Sequence, residues 1–189
     1  MGKLIYVVNV SLDGYVEDAQ GRFDWFVPSD EVFSFITNLV RPMATYVYGR
    51  RTYETMAVWE TDPTLASESE LRADFADVWR SADKVVYSTT LPAVSTAKTR
   101  LERSFEPDSL RHMIDSLAGD CTVGGPALAA RALRAGLIDE CHLFVCPVVL
   151  GHGKPAFASD ARVRLDLLDE RRFDNGEVYV RYGVSPPAV

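Results

Sequence analysis

Cys121-Thr122-Val123-Gly124-Gly125-Pro126 is the stretch on which the reading of this chain turns. A short apolar run into two glycines and a proline predicts a brief strand, a tight turn and then a helix. Pro126 suits the first turn of that helix, which is expected to run to Gly136. Paired glycines let the backbone come close to a diphosphate, while proline leaves the other first-turn amides free to face it. A tight strand-to-helix turn without a ligand is the alternative. The G-x-G-x-x-G fingerprint of an ordinary Rossmann domain is absent.

Working outward, Leu4–Val10 is a β-branched run ending at Asp13-Gly14, a buried first strand followed by a turn and a long loop. Pro28 and Ser29 introduce Val32, Phe33, Ile36, Leu39 and Val40 at helical spacing, with Asp30 and Glu31 in the first turn. Thr45–Tyr48 reads as a strand running into Gly49-Arg50-Arg51-Thr52-Tyr53. Ser67-x-x-Glu70 is expected to cap a helix whose face is Leu71, Phe75, Val78 and Trp79, and Lys84–Tyr87 is the next strand. After a polar stretch, Leu110, Met113, Ile114 and Leu117 mark a helix that Gly119 ends. Cys141–Leu150 reads as one long strand. Val163, Leu165 and Leu167, then Val178, Val180 and Tyr182, flank Asn175-Gly176 as a β-hairpin.

Strands and helices alternate early and strands dominate late. The order predicts an α/β fold in one domain over 1–189, a mostly parallel central sheet flanked by helices with an antiparallel C-terminal hairpin. At 189 residues and 47% hydrophobic the chain can bury a sizeable core. No apolar run reaches the roughly 18 residues of a membrane span, and the N-terminus has no signal-type segment, so the expected compartment is the cytoplasm. Cys121, Cys141 and Cys146 form no C-x-x-C pair and read as reduced, partly buried thiols. Net charge is −7, and the basic residues never run beyond two together, which argues against a nucleic-acid partner. His112, His142 and His152 lack metal-ligand spacing, so no metal is expected.

Ligands of open parallel sheets bind beyond the carboxyl ends of the strands. Three junctions fit such a place. Val123-Gly124-Gly125-Pro126-Ala127-Leu128 is the first. At the second, Gly49-Arg50-Arg51-Thr52, either arginine can grip a phosphate and Thr52 can add a hydroxyl; a solvated basic turn is the alternative. Ser88-Thr89-Thr90 is the third, with hydroxyls to offer. Together they suit a dinucleotide carrying a 2′-phosphate. Asp30, downstream of Trp25 and Phe26, is the candidate carboxylate, expected in an apolar pocket where it would bind an amidine-like edge of a substrate. An ordinary first-turn acid is the alternative, and Glu31 is its rival.

These residues resemble the dihydrofolate reductase superfamily, and within it the reductase domain of riboflavin biosynthesis. Trp25-x-x-Pro28-x-Asp30 and Gly49-Arg50-Arg51-Thr52-Tyr53-Glu54 look like dihydrofolate reductase motifs, and Gly124-Gly125 matches the family's diphosphate turn. Ser11-Leu12-Asp13-Gly14, Asp62-Pro63-Thr64-Leu65, Gly124–Leu128, Leu133–Glu140 and Pro147–Gly151 look more like the riboflavin enzyme. The resemblance implies NADPH as cofactor, with Arg50 and Thr52 on its phosphates, and Asp30 supporting substrate binding and protonation. Asn9, Asp13, Trp25 and Asp62 are the further substrate-binding candidates. No L-P-x-R segment precedes Lys84, which argues against a folate tail, and no deaminase motif precedes the reductase pattern. The expected function is hydride transfer from NADPH to a pyrimidine- or pterin-like compound. A dihydrofolate reductase, or an NADPH-binding protein without efficient turnover, are the alternatives. Riboflavin-type relatives also imply a homodimer.

Overall fold

The strand that carries the double glycine, β6 (Cys121–Gly124), lies inside the sheet, parallel to β1 (Leu4–Ser11) on one side and β3 (Thr45–Gly49) on the other. The computed structural model describes residues 2–185. β4 (Asp83–Tyr87) and β5 (Thr99–Glu102) extend the sheet beyond β3, and β7 (Glu140–Cys146) lies beyond β1, all parallel. The antiparallel hairpin of β9 (Arg164–Arg172) and β10 (Val178–Ser185) completes the order β5-β4-β3-β6-β1-β7-β10-β9. This is the α/β architecture that the alternation of elements predicts.

Both faces of the parallel part of the sheet are covered, so alternate residues of one strand serve different cores. Leu4 and Tyr6 of β1 and Val47 of β3 pack with Leu110 and Ile114 of α6 (Pro107–Ser116) and with Leu128, Ala129, Ala132 and Leu133 of α7 (Pro126–Arg134). Ile5, Tyr46 and Tyr48 face the other way. They meet Val40 of α1 (Asp30–Val40), Tyr53 of α2 (Arg50–Met56), and Phe75, Val78 and Trp79 of α5 (Glu70–Ser81). Each fully buried Val, Leu, Ile or Phe side chain among them contributes roughly 1.5–3 kcal/mol.

Several local expectations change. Ser67 closes a short helix, α4 (Pro63–Ser67), following α3 (Val58–Thr61); α5 is capped by Ser69, whose Oγ accepts the Arg72 N–H at 3.2 Å. Asp62 and Pro63 have already started a helix upstream, so Ser67 is helical when the cap is needed. β7 stops at Cys146 instead of reaching Leu150, because Pro147 has no N–H for the ladder. The residues after it bond to the β1 end, with Leu12 N–H donating to Val148 O at 2.8 Å. In the hairpin, the register shifts between Arg181 and Tyr182, leaving Leu167 and Leu168 about half exposed, at 54% and 53%. A small ribbon of β2 (Tyr15–Asp18) and β8 (Gly153–Pro155), and strand β5, go unmarked in the sequence because each is only three or four residues long.

At the amino end of β7 a polar cluster replaces hydrocarbon. Glu140, 3% exposed, accepts from Lys3 Nζ at 2.6 Å, from Arg181 at 2.7 and 3.0 Å, and shares a 2.9 Å hydrogen bond with His142 Nε2. The other ring nitrogen meets Tyr179 Oη at 3.0 Å. Burial alone would raise the Glu140 pKa; hydrogen bonds from Arg181, Lys3 and His142 outweigh it and hold the group at about 2. Burial pushes His142 below its ordinary value, against the raising effect of Glu140.

Both groups thus bind protons more weakly in the folded chain than in the unfolded one, so acid costs stability. His142 starts to cost stability as pH falls through its ordinary 6.5, and the Glu140 contribution is lost as pH falls from 4.5 towards about 2. Denaturant unfolding across this range is expected to show stability declining from near-neutral pH downward. Glu140→Gln is expected to cost about 2 kcal/mol at neutral pH and to remove the lower part of the decline. A profile flat from neutrality into the carboxylate range would overturn this account.

Candidate functional site

The six parallel strands end along one edge of the sheet, and the crossover helices α1 and α7 run back antiparallel to them, so both begin at that edge. β6 is short: Tyr6 pairs with Val123, yet β1 continues to Ser11, so a notch opens over Gly124 between β1 and β3. Gly125 has φ +97°, and a Cβ there would lie 2.6 Å from Thr52 Oγ1. At Gly124 a Cβ would lie 2.9 Å from Tyr48 Cδ1 and 3.0 Å from Thr52 Cγ2. The turn is therefore glycine on steric grounds, and Thr52 packs directly on it. Pro126 begins α7, as expected.

Beside the turn lies an open cleft of about 290 Å³. Six of the expected residues line it: Gly49, Arg50, Ser88, Thr89, Ala127 and Leu128. Arg50 is held by two neighbours, donating from Nε to Glu54 Oε1 at 2.8 Å and from Nη1 to Thr90 Oγ1 at 2.9 Å. Arg51 leaves the group. Adjacent helical residues point about 100° apart, and Arg51 turns to Glu17 Oε2 at 3.1 Å, bracing the β2–β8 ribbon. Ser88 Oγ accepts the N–H groups of Thr90 and Leu91 at 3.2 and 3.0 Å, which folds the loop over the cleft.

Arg103, Ser104, Phe105 and Arg131 also line the cleft, and sequence reasoning missed them. The first three follow the unrecognised β5. Arg131 stands four residues after Ala127 on one helix face, a spacing that was there to be read.

The carboxylates separate clearly. Asp13 joins two loops: it accepts from Ser11 Oγ at 2.7 Å, Leu150 N at 3.1 Å and Gly151 N at 2.7 Å, and these bonds lower its pKa, the Ser11 hydroxyl foremost. Asp62 caps α4 through Thr64 N at 2.9 Å and Thr64 Oγ1 at 2.6 Å. Glu31 is paired with Arg171 at 2.7 Å, which with the Asp174 N–H lowers its pKa. Asp30 is exposed at the start of α1, not enclosed by an apolar pocket, and has no hydrogen bond or ion pair among the described residues. Pro28 and Ser29 start the helix at the surface, which leaves Asp30 in water. Trp25, half-buried, packs edge-on to Phe26 and keeps a buried indole N–H without a partner among the described residues. Asn9 is half-buried on β1, beyond the end of β6.

A family model described as the RibD C-terminal domain matches residues 2–179. An uncharacterized protein of Bacillus subtilis (strain 168), YyaP, is 25% identical over 186 residues, covering 95% of this chain and 94% of its own length. A structure described as a riboflavin biosynthesis protein of Shewanella sp. PV-4 superposes with a TM-score of 0.76 at 20% identity, over 97% of this chain and 99% of that one. Dihydrofolate reductase from Enterococcus faecalis, complexed with NADP(H), superposes with a TM-score of 0.66 at 15% identity over 98% of each chain. The double-glycine turn at the carboxyl edge, the matched residues and the superpositions agree: the chain belongs to the RibD C-terminal domain family and has the dihydrofolate reductase fold.

Proposed function

We propose that this member of a reductase family transfers a hydride from NADPH to a C=N or C=O bond of a pyrimidine-like substrate resembling the 5-amino-6-(5-phosphoribosylamino)uracil reduced in riboflavin synthesis. The observation that carries the reading is the convergence of Gly49, Arg50, Ser88, Thr89, Ala127 and Leu128 on one cleft beside Gly124 and Gly125. Glycine is required where backbone must approach a diphosphate, and the cleft gathers three guanidinium groups in a chain of net charge −7. Bound NADPH would supply the hydride; the protein supplies orientation and a carboxylate.

Asp30 is the carboxylate of this reading. Asp13, Asp62 and Glu31 are spent on backbone groups or on Arg171, whereas Asp30 keeps its lone pairs for an N–C–N edge of the substrate. The unpartnered Trp25 N–H, and Asn9 beyond the end of β6, are the polar groups we assign to the same ligand. Asp13 and Asp62 act on the site through the loops they fix. Buried, unpaired thiols at Cys121, Cys141 and Cys146, with pKa values raised by burial to about 12, suit a reducing compartment such as the cytoplasm. We also infer a homodimer through the sheet face carrying Leu165, Leu167, Val180 and Tyr182, which is only partly covered.

Purified protein is expected to oxidise NADPH when given the riboflavin-type pyrimidine and to leave dihydrofolate unreduced. Asp30→Asn is expected to cut turnover about a hundredfold with NADPH affinity unchanged; unaltered turnover would remove Asp30 from the reaction. Gly125→Ala is expected to cost about 1–3 kcal/mol in denaturant unfolding, because L-residues are strained at positive φ, and to weaken NADPH binding. Full stability and affinity in that variant would contradict the cradle. Light scattering is expected to return twice the chain mass, and a monomer at micromolar concentration would sink the dimer.

A further inference from the structure

We infer that Arg131, rather than Arg50, distinguishes NADPH from NADH by binding the 2′-phosphate, an assignment that rests on the cofactor reading above. The three arginines that line the cleft differ in what already holds them. Arg50 has its charge balanced by Glu54 at 2.8 Å and a further N–H taken by Thr90. Arg103 donates to three carbonyls, Leu91 O at 2.5 Å, Pro92 O at 3.2 Å and Ser88 O at 3.3 Å, and so fastens the loop that carries Ser88 and Thr89. Arg131 makes one long hydrogen bond, to Phe105 O at 3.5 Å, and has no ion-pair partner among the described residues.

What positions Arg131 is a ring. Its guanidinium carbon lies 4.6 Å from the centroid of Phe105, which is 7% exposed and itself braced edge-on by Tyr87 at 5.5 Å. The ring contact and the one long bond to Phe105 O leave most of the guanidinium N–H groups free, the donors that recognise phosphate oxygens. The hydroxyls of Ser88, Thr89 and Ser104 line the same cleft as neutral donors.

Distance along the helix points the same way. Arg131 is five residues beyond Pro126, or about 7.5 Å along the axis at the α-helical rise. A diphosphate held at Gly124-Gly125 would leave Arg131 within reach of a phosphate farther along the cleft, and Arg50, next to Gly49 at the turn, would serve the diphosphate. A purely structural role for Arg131, complementing the carboxyl end of α7, would affect stability but could not separate two cofactors that differ by one phosphate.

The experiment is a set of binding titrations with NADPH and NADH on the wild type and on Arg131→Gln, Arg131→Lys and Arg50→Ala. Arg131→Gln is expected to weaken NADPH by about ten- to a hundredfold while NADH changes by less than about twofold, the loss of one charge-assisted contact. Arg131→Lys should recover part of the preference, since it keeps the charge without the fork; it decides the matter alone should the glutamine variant not fold. Arg50→Ala should weaken both cofactors alike. Adenosine 2′,5′-bisphosphate should compete with NADPH on the wild type and lose that competition in Arg131→Gln, with 5′-AMP unaffected. Equal loss of NADPH and NADH in the Arg131 variants, or loss of the preference in Arg50→Ala, overturns the inference and leaves the cofactor reading intact. A wild type that binds neither dinucleotide overturns both.

Discussion

Contact between two glycines and the side chains of Tyr48 and Thr52 is the constraint from which the rest of the site follows. With Cβ positions at 2.6 to 3.0 Å from those neighbours, no larger residue fits at Gly124 or Gly125 without displacing the Tyr48 or Thr52 side chain. The turn ends β6 at Gly124 while β1 continues to Ser11, which opens the notch. It also sets the starting point of α7, and so where Ala127, Leu128 and Arg131 fall along the cleft. Arg50 reaches the cleft, and Thr52 the glycine turn beside it, because β3 and β6 are adjacent and in register.

Much of this was legible because it was written in strong, local signals. Double glycine before proline, the β-branched runs of β1 and β3, and the spacing of Phe75, Val78 and Trp79 each specify an element from a handful of neighbours. The missed parts depend on tertiary partners. β5 is four residues long and only becomes a strand by lying beside β4, so Arg103, Ser104 and Phe105 could not be aimed from the sequence. Arg50 and Arg51 look equivalent as neighbours, yet the first turn of a helix sends one to the cleft and the other to Glu17. The carboxylates were ambiguous for a similar reason: Asp13, Asp62 and Glu31 find partners 2 to 143 residues away, and only the fold shows that Asp30 is left without one among the described residues.

Charge is distributed with a purpose that net values hide. The chain is acidic as a whole, yet its cleft collects arginines and hydroxyls, and the loop over it is fastened by neutral carbonyl contacts to Arg103 that do not cancel the positive field. Carboxylates near the site are mostly engaged in capping or clamping. Among the described residues, the acid paired to a cleft arginine is Glu54, one turn along α2 from Arg50.

The place of β6 in the sheet also governs the order in which the protein can assemble. β1 is made first, but Leu4 pairs with Cys121, 117 residues later, and its other neighbour, β7, comes later still. Until then, β1 emerges from the ribosome with both edges open, and β3 has its inner edge open as well. Contacts of such sequence separation make folding slow, and the nascent amino-terminal half presents unpaired apolar strands for as long as the central one is missing. The same late insertion that shapes the notch leaves the edges of β1 the longest unpaired as the chain is made.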